Sequence, residues 1–267
     1  MLFVKSLFFR SFLFLALSAL FYPFAQAAGT KVAASMTKDL APEVSKVVVG
    51  VHESYPWSYT EPGNLIAGME REIVEAAFRT QGVEVQFKIF SYSRLIIEFQ
   101  NKRLDFASPI AFALPGAFYT EQYLPFMDVA VTLKSKNLLV EQMSDLAGKS
   151  VVAFQQAEKV LGPEFSALVN KGKYQELPDR SSQIMMLFDD KVDIVVGETR
   201  ISSCLAEKYY GKDKLNVHPI FEHVSYGGAA WNKALVDKFH AGLKAIQQSG
   251  VYQKILNKPC PASKQKD

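Results

Sequence analysis

The chain has 267 residues, of which 49% are hydrophobic, and it carries 30 Lys and Arg against 27 Asp and Glu. This composition suits a globular protein that buries one large core or two modest ones. A nearly balanced charge without a long basic run excludes the electrostatic footprint of a nucleic-acid-binding protein. The basic end of the chain, at residues 264–266, is interpreted as a solvated tail.

The N-terminus has the pattern of a secretory signal peptide. Lys5 and Arg10 precede an apolar run at residues 12–22, and residues 25–27 (Ala-Gln-Ala) have the spacing of a cleavage site. The run is shorter than the about 20 apolar residues that a membrane span needs, and an uncleaved anchor is the alternative. Because no cysteine stands at the cleavage point, we expect a periplasmic protein without a lipid anchor, starting near Ala28.

A β-α-β-α-β unit is predicted next. Residues 47–51 form a short β-branched run typical of a buried parallel strand, and residues 65–81 have the periodicity of a helix that Gly82 would cap. This alternation implies a parallel sheet with right-handed crossovers. The later elements of the unit are a strand at 83–90, a helix from its N-cap Ser91 to about 101, and a strand at 104–108.

The same alternation returns from residue 151. Two α/β units of similar size in one chain predict an α/β fold with two lobes, each a doubly wound sheet with helices. The elements of the second unit are a strand at 151–154, a helix at 158–170, a strand at 174–177, a helix from 179 or 181 to 190, a strand at 192–196, a helix at 200–210 and a strand at 215–219.

Two strand-like segments, residues 127–133 and 223–230, suit connections that cross between the lobes. The helical last part, residues 233–257, would then rejoin the first lobe. The predicted organisation is a signal peptide at 1–27, a discontinuous first lobe at 28–131 and 223–267, and a second lobe at 132–222, joined by a two-strand hinge.

Several local motifs recur in a fixed order along the mature chain. They are Val49-Gly50 followed by Tyr55-Pro56-Trp57, residues 65–70 (Leu-Ile-Ala-Gly-Met-Glu), residues 102–106 (Lys-Arg-Leu-Asp-Phe), residues 143–151, residues 190–196 and residues 249–255. Together they resemble the polar-amino-acid type, family 3, of extracellular solute-binding proteins. The resemblance implies two lobes that close by a hinge around a ligand at the carboxyl ends of the strands. It also implies an inner-membrane ABC permease as the partner.

The carboxylate-binding positions implied by the resemblance depart from the family pattern. The family's Thr and Arg would fall near Leu114 and Ala117, and no arginine lies between Arg103 and Arg180. Such an arginine would bind a ligand carboxylate through two parallel hydrogen bonds. A free α-amino acid held in the family's usual way is therefore not expected.

The second lobe keeps one half of the implied site. Gln155 and Gln156 stand where the family has a Gly-Thr anion nest, so hydrogen-bonding capacity remains without the glycine. The family's amine-binding Asp corresponds to Glu198, whose alternative role is a favourable acid in the first turn of a helix. These features favour a cationic or aromatic small molecule as the ligand.

The loop after the first strand supplies further candidates for the ligand-binding cleft. Trp57 is the leading one because the resemblance places a stacking aromatic here, with core packing as the alternative. Glu53 could face the ligand or lie in solvent. The other candidate binding residues are Tyr55, Tyr59, Tyr92, Arg94 and Phe112.

Neither a catalytic residue, a cofactor nor a metal site is predicted. The four histidines lack metal-ligand spacing, and the chain contains no G-x-S-x-G or H-E-x-x-H motif. Cys204 and Cys260 could pair in an oxidising compartment, but the sequence leaves open whether their Cα atoms approach each other.

Three functions are compatible with the sequence. The first is a monomeric periplasmic binding protein that captures a small polar ligand, amino-acid-like, amine or aromatic, for an ABC transporter. The second is an enzyme on the same scaffold, resembling cyclohexadienyl dehydratases, with Glu198 as general acid or base. The third is a ligand-sensing subunit that docks on a membrane receptor.

Overall fold

The described part of the chain, residues 46–261 of a computed structural model, is built around two five-stranded sheets. The predicted signal peptide and the basic C-terminal tail lie outside the described residues. Within residues 46–261, no helix is both long enough and apolar enough to cross a membrane.

The first sheet has the strand order β4-β1-β5-β12-β6. Its first three strands are parallel, as predicted, and β12 runs antiparallel to β5 and to β6. The strands are β1 (Val47–His52), β4 (Val85–Phe90), β5 (Phe106–Ile110), β6 (Phe118–Tyr119) and β12 (Gly227–Ala230).

Helices cover both faces of this sheet. Phe78 on helix α1 (Met69–Thr80) and Phe239 on helix α7 (Lys233–Gln248) pack their rings against Phe106 of β5, with centroids 5.3 and 5.0 Å from it. The next residue of β5, Ala107, joins a different cluster with helix α2 (Tyr92–Gln100). Alternate residues of a strand point to opposite faces, so both faces of β5 are buried.

Residues 65–67 form a strand and not the start of helix α1, which corrects the predicted helix at 65–81. The short strands β2 (Tyr59–Glu61) and β3 (Leu65–Ala67) pair as a hairpin, and α1 begins only at Met69. Gly68 separates them with φ of 121°, and a Cβ at that position would lie 2.1 Å from the carbonyl oxygen of Trp57. Only glycine fits this close approach, so the helix cannot extend backwards through it.

The second sheet has the order β11-β7-β10-β8-β9. Strands β9, β8 and β10 are parallel, and β7 is antiparallel to β10 and to β11. The strands are β7 (Asp128–Leu133), β8 (Ser150–Phe154), β9 (Lys173–Leu177), β10 (Ile194–Glu198) and β11 (Leu215–His218). The helices of this unit are α3 (Ala157–Leu161), α4 (Pro163–Val169), α5 (Arg180–Phe188) and α6 (Thr199–Tyr210).

The single helix predicted at 158–170 is two helices. Gly162 lies between α3 and α4 with φ of 91°, and Pro163 is the first residue of α4. A proline lacks the N–H that a continuous helix would use, whereas it suits the first turn of a new helix.

The chain crosses between the sheets twice, and the two crossing segments touch at a bridge between Leu124 and Tyr226. All of β7 pairs within the second sheet, so the boundary predicted between residues 131 and 132 falls inside a strand. The change of sheet occurs before Asp128, because that residue already pairs with Glu198 of β10.

The C-terminal part returns to the first sheet. Helix α7 lies close to α1, where a Cβ on Gly242 would stand 2.0 Å from the carbonyl oxygen of Ala77. Helix α8 (Val251–Leu256) follows, and the chain then reaches Cys260, which forms a disulfide with Cys204 of α6 across a Cα–Cα distance of 5.4 Å.

Candidate functional site

A cavity of about 40 Å³ lies between elements of the two sheets. His52 ends β1, Phe154 ends β8 and Glu198 ends β10, while Tyr92 and Arg180 are the first residues of the helices that follow β4 and β9. Open α/β sheets bind ligands beyond the carboxyl ends of their parallel strands. The cavity therefore occupies the position where both parallel cores direct their loops.

Two carboxylates face each other at this cavity. Asp128 of β7 and Glu198 of β10 are direct partners in the antiparallel register, so their side chains lie on the same face of the sheet. The Tyr226 hydroxyl donates to Asp128 over 3.1 Å. The Glu198 carboxylate accepts from the indole N–H of Trp57 at 2.9 Å and from the backbone N–H of Ile201 at 2.8 Å.

Burial governs the charge of this pair. Asp128 and Glu198 are 6% and 5% exposed, and desolvation raises the pKa of both carboxyl groups above their usual values. Their hydrogen bonds oppose the increase, because they stabilise the ionised form. Like charges on directly opposite residues also repel each other. A cation between the two carboxylates would relieve both costs.

Arg180 brings a guanidinium into the same cavity. Its carbon Cζ lies 5.0 Å from the centroid of the Phe154 ring. Burial lowers the pKa of Arg180 to about 10, and the charges of Asp128 and Glu198 act in the opposite direction, so the group stays protonated at neutral pH. Its Nε and Nη1 atoms are buried without a hydrogen-bond partner among the described residues.

His52 completes the polar lining. It is 4% exposed and touches Tyr92 edge to face, with ring centroids 5.5 Å apart. Burial, and secondarily the charge of Arg180, holds the pKa of His52 well below its usual value. The imidazole is therefore neutral at physiological pH, and its buried Nδ1 has no hydrogen-bond partner within residues 46–261.

Of the predicted binding residues, Glu198 and Tyr92 line this cavity. The hydroxyl of Tyr92 accepts from the backbone N–H of Ala111 at 3.0 Å. Trp57, the leading aromatic candidate, is 2% exposed and packs against Phe126 with centroids 4.7 Å apart. Its indole N–H thus holds Glu198 in position, and Trp57 is not among the residues that line the cavity, as its packing alternative predicts.

Glu53 and Tyr55 line a second, wider pocket of about 330 Å³ that also reaches Arg180. Glu53 is exposed and accepts a long hydrogen bond of 3.4 Å from Thr60. Tyr55 donates to the carbonyl of Pro261 at 2.6 Å, and Tyr59 packs edge to face on Tyr55. The aromatic loop therefore faces the C-terminal segment more than the cavity.

The remaining candidates lie elsewhere. Arg94 pairs with Glu98 on helix α2 and keeps 56% of its side chain exposed, away from the residues that line the cavity. Phe112 and Gln156 line a third pocket, where Lys159 stands 3.4 Å from the Phe112 ring centroid. Gln155 instead joins the two sheets, because its side-chain oxygen accepts from the backbone N–H of Ser93 at 3.2 Å.

Sequence reasoning missed Arg180, Asp128 and His52. His52 directly follows the predicted strand at 47–51, and Arg180 comes three residues after the predicted strand at 174–177, so the carboxyl-end rule could have identified both. Arg180 was predicted only as part of the helix that begins at 179 or 181, and in the structure Asp179 is the N-cap that precedes it. Asp128 depends on a pairing between distant strands, which no local pattern reveals.

No group of three or more His, Cys, Asp or Glu side chains suited to a metal ion occurs in the part of the chain that the structure describes. The polar groups of the cavity, two carboxylates, a guanidinium and a neutral imidazole, can instead bind charged groups of an organic ligand through hydrogen bonds.

Comparisons with known proteins agree with this architecture. Residues 47–259 match the model of the bacterial extracellular solute-binding proteins, family 3. The arginine-binding periplasmic protein of Mannheimia haemolytica is 24% identical over 226 residues, covering 79% of this chain and 90% of that protein.

Solved structures share the fold at low sequence identity. An ancestral arginine-binding protein bound to arginine superposes with a TM-score of 0.67 at 19% identity, covering 79% of this chain and 96% of that one. A histidine kinase sensor domain similar to periplasmic binding proteins superposes with a TM-score of 0.69 at 18% identity, covering 79% and 94%.

Proposed function

Since the chain belongs to the bacterial extracellular solute-binding proteins of family 3, we propose that it captures a small polar solute between its two sheets and delivers it to an ABC permease. The observation that carries this proposal is the cavity in which Asp128, Arg180 and His52, from both sheets, meet at the carboxyl ends of the strands. Buried ionisable groups without full partners are costly, so their concentration in one cavity favours a binding role.

The ligand is amino-acid-like, an amine or an aromatic compound. The facing carboxylates of Asp128 and Glu198 suit an ammonium or guanidinium group, and the rings of Phe126 and Tyr226 provide an apolar wall. The Mannheimia haemolytica relative is named as an arginine-binding protein, which supports a ligand with a cationic group.

Binding requires the sheets to move. A cavity of about 40 Å³ holds about three water molecules, so a larger ligand needs a more open state. We propose that the two sheets form two lobes, that the first change of lobe occurs before Asp128, and that the segments around Leu124 and Tyr226 act as the hinge. We propose that the mature protein acts as a monomer in the periplasm, after export by the signal peptide predicted at 1–27.

We propose binding without catalysis. Glu198, the acid that a lyase would use, already accepts hydrogen bonds from Trp57 and from the first turn of α6. Both bonds stabilise the carboxylate in place and compete with proton transfer to a substrate.

A thermal-shift screen of the mature protein tests the proposal, with amino acids, amines, organic acids and aromatic compounds as probes. A ligand at about 100 times its Kd adds about 2.7 kcal/mol to the free energy of unfolding, which raises Tm by about 5 to 10 °C. The shift should disappear in Glu198→Gln and persist in Glu207→Gln, a partly exposed acid on helix α6 that pairs with Lys212. A shift that survives Glu198→Gln places the ligand outside this cavity, and no shift with any probe favours the sensing subunit.

A further inference from the structure

The disulfide is a third connection between the two sheets, beside the two segments in which the chain crosses. Cys204 lies on helix α6, which continues from strand β10 of the second sheet. Cys260 follows helix α8, which packs with α1 and α7 against the first sheet. Because the chain contains only two cysteines, no second disulfide can join the sheets elsewhere.

The C-terminal segment, residues 257–261, is fixed to the first sheet and its helices on both sides of its cysteine. Before the cysteine, Lys258 donates to the carboxylate of Glu72 on α1 at 2.6 Å. After it, the carbonyl of Pro261 accepts from the hydroxyl of Tyr55, in the loop that follows β1, at 2.6 Å. The segment therefore has little slack with which to follow a movement of the second sheet.

An intact disulfide also permits little movement between the two residues that it joins. Its geometry confines the Cα atoms to separations of about 4.4 to 6.8 Å. The Cα atoms of Cys204 and Cys260 are 5.4 Å apart, so this separation can rise or fall by only about 1 Å. On the same helix, Arg200 donates to the carbonyl of Leu256 at 2.8 Å. Helix α6 therefore stays against the C-terminal segment when the sheets separate.

The contacts that join the sheets near helices α2 and α3 are weaker. The side-chain oxygen of Gln155 accepts from the backbone N–H of Ser93 over 3.2 Å. Beside it, the ammonium group of Lys159 stands 3.4 Å from the centroid of the Phe112 ring, and Lys159 is exposed. One hydrogen bond and one exposed cation–π contact break reversibly at little cost, whereas the disulfide does not.

We infer that the Cys204–Cys260 disulfide directs the opening of the protein: the sheets separate by swinging about helix α6, and the cavity opens to solvent between α2 and α3. The entrance is then the side of the molecule where Phe112 and Lys159 line a pocket with residues of α2. This inference goes beyond the proposed function and takes from it only that the sheets separate.

Distances between two spin labels, measured by double electron–electron resonance in the ligand-free mature protein, test the inference. Both native cysteines are in the disulfide, so cysteines introduced at exposed positions can be labelled selectively. The entrance pair is Gln100→Cys on α2 with Glu164→Cys on α4. The disulfide-side pair is Tyr209→Cys on α6 with Lys254→Cys on α8.

The two pairs should differ while the disulfide is intact. The entrance pair should give a broad or two-peaked distance distribution, and the disulfide-side pair a single narrow peak, because the bond holds α6 in place. Replacement of Cys204 and Cys260 by serine should broaden the disulfide-side distribution toward longer distances. Arg200→Gln is the matched control: it removes the neighbouring hydrogen bond, keeps the disulfide and should leave that peak narrow.

Each outcome supports or overturns the inference. Equal widths for the two pairs in the disulfide-bonded protein overturn it without any change to the disulfide, so the test survives a serine variant that fails to fold. A disulfide-side peak that stays narrow in the folded serine variant also overturns it, because the bond would then stabilise the fold without directing its movement. Ligand capture is measured separately by the thermal-shift screen, so the proposed function can stand when this inference fails.

Discussion

Elements of the two sheets meet at two places that differ in how their polar groups are satisfied. In the cavity, Arg180 and His52 keep buried nitrogen atoms that have no hydrogen-bond partner in the described range, residues 46–261. The second place is the contact between helix α6 and the C-terminal segment, which we call the α6 seam. Here the polar groups have partners: Arg200 donates a hydrogen bond to the carbonyl of Leu256 at 2.8 Å, and the Cys204–Cys260 disulfide links the two segments covalently.

This difference in hydrogen bonding indicates that the α6 seam contributes to stability and the cavity to ligand binding. Satisfied hydrogen bonds and a disulfide at the α6 seam stabilise the folded state. Buried, partly unpaired charges in the cavity destabilise it until a ligand supplies partners. Substitutions in the seam should therefore lower the free energy of unfolding, whereas cavity substitutions should lower ligand affinity with little loss of stability. Trp57 lies between the two regions, because its indole bonds Glu198 while Arg200 stands 5.8 Å from its ring.

The largest expected effect is that of Trp57→Ala. Removing a buried tryptophan leaves a cavity and costs about 3 to 5 kcal/mol of unfolding free energy. Trp57→Phe should cost less, because a ring remains against Phe126 and only the bond to Glu198 is lost. Urea unfolding followed by the fluorescence of Trp231 measures both. Equal losses of unfolding free energy in the two variants would show that the stabilisation comes from the hydrogen bond of the indole N–H and not from the packing of the ring.

The second-largest effect is expected from removal of the disulfide. Cys204 and Cys260 are 56 residues apart, and a loop of this size contributes about 4 kcal/mol in the chain-entropy account. The double variant with serine at both positions should have its unfolding midpoint at a correspondingly lower urea concentration. Reductant should lower the wild-type midpoint and leave the double variant unchanged. A wild-type midpoint insensitive to reductant would mean that the α6 seam is held by its hydrogen bonds and packing alone.

The sequence predicts the elements of these regions better than their contacts. Apolar runs at 47–51 and 151–154 identify the central strands because parallel strands are buried on both faces. The hairpin before Gly68 was missed because Leu65–Ala67 also fits a helical periodicity, and only its pairing with Tyr59–Glu61 decides for a strand.

The contacts within the candidate site were also harder to predict from the sequence than its elements. Glu198 was identified through the family resemblance, as the counterpart of the amine-binding Asp, whereas its bond to Trp57 joins residues 141 positions apart and was not predicted. Asp128 becomes a site residue only through its register with Glu198. Pairings between distant segments depend on how the sheets assemble, so local patterns cannot specify them.

The carboxylate pair should make the cavity sensitive to pH. The pKa values of Asp128 and Glu198 are raised on folding, so the folded state binds more protons than the unfolded state between the two values of each group. The free energy of unfolding therefore falls as pH rises through that window. Asp128→Asn should be more stable than wild type above the window, equal to or less stable than it below the window, and weaker in binding cationic probes.

The measurement must be a difference between variant and wild type. Glu70, buried and bonded by Ser58 and Ser108, has its pKa raised to about 7 by desolvation and contributes its own loss of stability between its unfolded value and about pH 7. Because Asp128→Asn keeps Glu70, subtraction of the two urea-derived pH profiles isolates the cavity. Parallel profiles would mean that Asp128 titrates alike in the folded and unfolded states.

The smallest effect should come from Gln155→Ala. Its side chain accepts one hydrogen bond from the backbone N–H of Ser93 and so connects the two sheets beside the cavity. If the sheets separate in the open state, this bond exists only when they are closed, and its loss should weaken ligand binding about fivefold, or ~1 kcal/mol, with little change in unfolding. Gln156→Ala is the matched control, since that residue uses its backbone N–H to bond Glu176. A fall in urea midpoint without a fall in affinity would assign Gln155 to the fixed structure, and the sheets would then have to close without it.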